Sequence, residues 1–227
     1  MIKRAVNKKT YLLIFIILSN FLFAQIPEKI LEAFNNLEAD SIYVYAFHKK
    51  TTDPEGSILE SYNPNARQKK WQLLSVNNQK ADPERLKKYQ EEMNESDHAR
   101  RESRRFDFNE KTMQDFQIIN ETDQVIFYTF RLKPEENDKI DELKGEITLH
   151  KNPGWIERIK VYNQAPFSPA LPVKIDTFKM DMKYQRLKDT KAIKLKTIQT
   201  RIKARAFVFK KIDTKVTQEY FNYELVE

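Results

Sequence analysis

Period-two alternation over residues 173–208 constrains this chain more than any other feature. Phe178, Met180, Met182 and Tyr184 share one parity, and Lys179, Asp181 and Lys183 take the other. Successive side chains of a strand point to opposite faces, so the segment reads as a strand with one apolar and one wet face. Val173 and Ile175 fall in the opposite phase, which predicts a bulge near Asp176-Thr177. Downstream, Ile198, Ile202, Ala204, Ala206 and Val208 alternate with Gln199, Arg201, Lys203 and Arg205, and Phe207 and Phe209 add an apolar opposite face at the end. Two-faced strands of this kind belong to antiparallel sheets, because parallel sheets are buried on both sides.

Shorter apolar runs add strands over 42–47, 71–76, 116–119, 125–132, 146–149, 155–162 and 216–225. Only three glycines occur, so turns fall to Asn, Asp and Pro. Asn152-Pro153-Gly154 marks a hairpin, Asp53-Pro54-Glu55-Gly56 a turn, and Asn77-Asn78 ends the strand before them. Ile26, Ile30, Leu31, Phe34 and Leu37 recur at helical spacing behind Pro27. A second helix starts at Asp82, which caps it, with Pro83 at the first position and Glu84 at the positive dipole end. Its apolar stripe is Leu86, Tyr89 and Met93. Residues 91–105 are almost wholly polar and read as an exposed helix or a poorly ordered excursion. Residues 134–143 read as an acidic loop and 164–172 as a proline-rich connector. The expected fold is α+β: one domain, a large antiparallel sheet and a few helices.

The chain begins with a basic stretch (Lys3, Arg4, Lys8, Lys9), an apolar run over 11–18 and a small residue, Ala24, just before Gln25. These are the three regions of a secretory leader, expected at 1–24 and cleaved after Ala24, which leaves a domain over 25–227. An uncleaved anchor and a buried core helix are the alternatives. The apolar run is short for a bilayer span, so no transmembrane segment is expected after cleavage. The formal charge is +7, and removing the four leader cations leaves +3. A nucleic-acid partner is not expected from that balance. No cysteine occurs, so disulfides, thiolate zinc sites and a lipidated cysteine after the leader are excluded. The expected place is the periplasm or the outer membrane of a Gram-negative cell.

No motif carries catalysis. His48, His98 and His150 lie in different segments without ligand spacing, so neither metal nor cofactor is expected. No serine sits in a nucleophile elbow and no glycine-rich phosphate loop exists. The carboxylates of 135–142 sit in a polar loop, not in the apolar setting that separates the pKa values of an acid–base pair. The basic stretch 188–211 describes the wet face of a strand, or else a contact with anionic lipid headgroups. Phe127, Trp155, Phe178, Met180, Met182 and Tyr184 are the apolar residues with functional promise. They line a greasy concavity or form an ordinary covered core. Methionine suits the first reading because it adapts to flexible chains.

Two stretches of letters carry a resemblance: Trp71 to Asn78, then Asp82 to Tyr89. With the Gly154-Trp155 hairpin and Pro166, Phe167, Lys174, Ile175 and Phe178, they resemble a group of exported bacterial proteins. The order of strands is similar to that of the half-barrel superfamily of periplasmic lipoprotein carriers (LolA/LolB-like). Asn78 stands where the group has Gly, and no functional arginine of the carriers maps onto this chain. The resemblance implies a strongly curved, open half-barrel with helices on the concave face, over an apolar cavity that takes acyl chains. The function expected is non-enzymatic binding of lipid, lipoprotein acyl chains or another amphiphile. The alternative is a structural or interaction module with a filled core and an envelope protein as partner.

Overall fold

The computed structural model describes residues 26–39, 45–67, 70–100, 108, 112–133, 143–170, 172–207 and 210–226. The leader-like segment, residues 42–44, the acidic stretch 134–142 and residues 208–209 lie outside the described residues. The first four strands are β1 (Tyr45–Asp53), β2 (Gly56–Tyr62), β3 (Trp71–Val76) and β4 (Gln79–Lys80). Then come β5 (Met113–Glu121), β6 (Val125–Leu132), β7 (Leu143–Lys151), β8 (Gly154–Asn163) and β9 (Phe167–Ala170). The long strands β10 (Val173–Arg186), β11 (Ile193–Ala206) and β12 (Lys210–Leu225) follow. Two helices, α1 (Glu28–Ala39) and α2 (Pro83–Arg100), complete the described elements. The molecule is therefore mostly β, not the balanced α+β expected, because every long alternating segment has gone into one sheet.

That single twelve-stranded sheet is not closed. Its order is β5-β6-β7-β8-β10-β11-β12-β1-β2-β3-β4, with β9 beside β10. Each pair is antiparallel. With β9 set aside, neighbours follow one another along the chain except where the last strand, β12, lies against the first, β1. The segment that carries α2 therefore links one edge of the sheet to the other. It leaves β4 and returns at β5.

Local chemistry explains the turns and ends. Asn77 and Asn78 both adopt positive φ, 52° and 62°, the signature of a two-residue primed hairpin turn. The Asp53 carboxylate accepts from the backbone N–H of Glu55 and Gly56 at 2.8 and 3.0 Å and closes the β1–β2 turn. Asp82 caps α2, accepting the Arg85 N–H at 2.8 Å. The bulge expected at Asp176 is present, since the β10–β11 register shifts between Ile175 and Thr177. The expected connector 164–172 instead contains β9. Pro169 fits there because β9 pairs only with β10.

Residues opposite each other in antiparallel strands share a face, so the register fixes two sides. On the inner side, Ile126, Phe130, Ile147, Leu149, Ile156, Ile159 and Val161 join Met180 and Met182 in the main core. Helix α1 covers it with Ile30 and Ala33, joined by Ile26 just before the helix. Full burial of Ile30 contributes about 2 kcal/mol. A smaller core, Leu73, Ala81 and Tyr89, lies under α2 on the same side, because Met182, Ile198, Gln218, Thr51, Ile58 and Val76 form one continuous cross-strand row.

Candidate functional site on the inner face

The six apolar residues singled out from sequence do not come together. Phe178, Met180 and Met182 face inward and are 8–9% exposed, closed over by α1 in the main core. Tyr184 packs at the rim of that core, and burial pushes its hydroxyl pKa up to about 12. Phe127 and Trp155 face the other way. Phe127 pairs with Thr148, and Trp155 stacks on His150 with ring centroids 4.6 Å apart. This outward side is charged. Arg158 grips Asp181 through two nitrogens, and Lys160 and the Tyr162 hydroxyl both donate to Glu146, at 2.9 and 3.2 Å. A single residue of parity decides which side a strand residue serves. Aromatic identity alone did not show that Phe127 and Trp155 lie out of phase with their apolar neighbours.

The inner side holds a different cluster. Between α1 and α2 it presents Phe47 on β1, Tyr62 on β2, Trp71 on β3, and Tyr220 and Tyr223 on β12, all half-buried. Phe47 is central, with ring centroids 5.1 Å from Tyr62, 5.6 Å from Trp71, 5.8 Å from Tyr220 and 5.5 Å from Tyr223. Pairs at such distances add about 0.5–1.5 kcal/mol beyond their area. The Tyr223 hydroxyl donates to the Leu195 carbonyl at 2.7 Å, where β11 and β12 have parted, and burial raises its pKa. Further along the same face, Thr51, Thr200, Thr214 and Gln218 alternate with Ile198, Ile202 and Val216. The floor thus grades from rings to mixed hydroxyl and aliphatic groups.

A charged pair underlies the rings. Lys49 and Glu60 are 7% and 4% exposed and meet at 2.6 Å. The Tyr89 hydroxyl of α2 donates to the other oxygen of Glu60 at 2.6 Å. The Lys49 ammonium also lies 4.6 Å from the centre of the Trp71 ring. Gln90 adds a bond to the Trp71 carbonyl at 3.2 Å. Two polar bonds and a small core therefore hold α2 against the sheet. Sequence reasoning missed this pair because Lys49 and Glu60 look like ordinary wet-face residues; only the β1–β2 register sets them opposite each other on the inner side.

His48 and His150 do not converge. His48 on β1 contacts Phe221 and Asn222, while His150 lies on β7 against Trp155, with four strands between β1 and β7. Where the β5 bulge parts β5 from β6, Thr129, Arg131, Lys144 and Tyr162 line a shallow depression of about 290 Å³. Among the described residues no helix is long and apolar enough to cross a membrane. Comparison with protein-family profiles, curated proteins and solved structures gives no match in any of the three.

Proposed function

We propose that this protein is a non-enzymatic binder of a lipid or another amphiphile, carried on the concave face of an open half-barrel. The aromatic strip between the two helices is the seat of the ligand, and α2, anchored beside it, forms one wall. The observation that carries this reading is the half-buried ring cluster on the inner face. A face used only as core would be closed there, as the methionine row is closed by α1. An acyl chain gains about 0.8 kcal/mol for each methylene it buries against such rings. The polar end of the floor, with the hydroxyls of Thr200 and Thr214 and the amide of Gln218, suits the polar part of the same molecule. Export to the cell envelope, as the leader implies, would bring the protein to lipids and lipoproteins.

The test uses tryptophan. The chain has two, Trp71 in the strip and Trp155 outside it. In a Trp155→Phe variant, emission from Trp71 should shift and be quenched by a bromine-labelled single-chain amphiphile added below its micelle concentration. Native mass spectrometry should find co-purified lipid. An unchanged Trp71 spectrum, a clean apo mass and no thermal shift would together reject the reading.

A second reading, an interaction module for an envelope protein, is favoured by β5. It is an edge strand that pairs only with β6 among the described residues, and Ile118 and Ile119 are 55% and 58% exposed on it. Crosslinking from residue 118 in envelope extracts should then trap one partner, and a proline at Ile119 should abolish the product. If no crosslink forms, this alternative fails.

A further inference from the structure

We propose that the outward face of the β10–β11–β12 ribbon, with Phe207 at its tip, docks on the surface of an anionic phospholipid bilayer. The register carries the argument. Lys174, Arg205 and Lys211 stand directly opposite one another across the three strands. Farther along the same face, Lys179, Arg201 and Lys215 form a second row of three cations. Like charges directly opposite each other destabilise a sheet. Two complete cationic rows work against the fold, and packing gives no reason for them on an exposed face. At sheet spacings, the six groups fall within a patch of roughly 10 by 14 Å.

The acids on this face offset it only in part, chiefly at its two arginines. Asp176 is held by two nitrogens of Arg205 at 2.9 and 2.7 Å. Asp213 is shared between Arg201 at 3.6 Å and Lys203 at 3.5 Å. Asp181 is taken by Arg158. Lys179, Lys211 and Lys215 are exposed and make no ion pair among the described residues.

Phe207 identifies the partner as a bilayer. It directly follows β11 with a φ of 54°, a region bulky residues rarely adopt, and its side chain is 73% exposed. A ring held out beside cations fits the boundary between headgroups and acyl chains, where apolar contact and attraction to anionic lipid add together. A single-stranded nucleic-acid face instead interleaves aromatics among its cations for base stacking. Here the two cationic rows contain none. This surface lies opposite the aromatic strip, so it brings the protein to a membrane without covering the proposed ligand seat.

Flotation with phosphatidylcholine vesicles, with and without phosphatidylglycerol, tests the proposal. Binding should require phosphatidylglycerol and fall steeply as salt rises, since the Debye length shortens from about 10 Å at 0.1 M to about 3 Å at 1 M. The triple variant Lys179→Gln, Lys211→Gln, Lys215→Gln should bind roughly a hundredfold more weakly, at about fivefold per cation. Its melting temperature should be unchanged or higher, because repulsion has been relieved. Phe207→Ser should weaken binding while leaving the slope of the salt dependence in place. Equal binding to vesicles lacking phosphatidylglycerol would overturn the proposal. So would wild-type binding by the folded triple variant, or an equal preference for double-stranded DNA over vesicles. Quenching of Trp71 by a single-chain amphiphile should be the same in the triple variant, which separates this surface from the inner strip.

Discussion

Breaking the Lys49–Glu60 pair tests whether it is a buried electrostatic unit that fixes α2 to the sheet. In Lys49→Met, Glu60 keeps only the Tyr89 hydroxyl and remains a buried carboxylate without a counter-charge. Removing one partner of such a pair costs about 3–5 kcal/mol. For a chain of this size that is a fall in melting temperature of about 6–20 °C. In Glu60→Gln, Lys49 loses its counter-ion and keeps the Trp71 ring, which returns about 1–2 kcal/mol of attraction in a desolvated setting, so this variant should fall at the lower end of the range. The double variant Lys49→Met, Glu60→Gln removes both charges, keeps the volumes near those of the originals, and leaves an amide oxygen to accept from Tyr89. It should lie within about 1 kcal/mol of the parent, or above it. Urea unfolding of the four proteins closes the cycle, with a coupling energy of about 3 kcal/mol or more. Proteolysis within α2 should quicken in the single variants and return to the parent rate in the double. Two single losses that simply add in the double variant would refute the reasoning, because the charges would then be acting independently through solvent.

Three other outcomes follow from the same packing. Gly145 faces the core opposite Phe130, and a methyl group there would overlap the Phe130 ring, itself stacked on Phe116 at 5.6 Å. Gly145→Ala should therefore cost about 1–3 kcal/mol in urea unfolding, and a neutral result would show that the ring can move aside. Asp82→Ala removes the cap of α2 and should cost about 1 kcal/mol, with a faster rate of amide exchange over residues 83–86 as the specific sign. In alkali, the folded Tyr184 hydroxyl titrates near 12 and the unfolded one near 10.0, so the unfolded state loses its proton first. Stability should hold up to about pH 10 and decline towards pH 12, by roughly 2–3 kcal/mol from this residue. Tyr184→Phe should flatten that slope, and Tyr223, also raised by burial, should account for further decline.

Much of the fold was legible because the signals were local. The phase change at Asp176 revealed the bulge, and the Asp82-Pro83-Glu84 run revealed the start of α2. Asn tolerates the left-handed turn that glycine favours, so Asn78 stands in glycine's place with a φ of 62°. Strand β9 was hidden by Pro166 and Pro169, which argue against a strand unless its free edge is known. The candidate site was less legible. Four of its six sequence-chosen residues face inward, but three of these are sealed by α1, while Phe127 and Trp155 lie on the charged side.

Sequence alone determined what depends on neighbours a few residues apart: alternation, helix caps, turn residues, the absence of disulfides, and the two-faced character of β10 and β11. Tertiary structure alone decided that the last strand lies beside the first and that α2 belongs to a link between the two edges of the sheet. It also placed Lys49 against Glu60 and gathered four rings from three other strands around Phe47. The physical reason is that strand pairing is a contest among distant segments with similar local preferences. Its outcome rests on how apolar faces are buried together, a quantity that no short stretch of the chain contains.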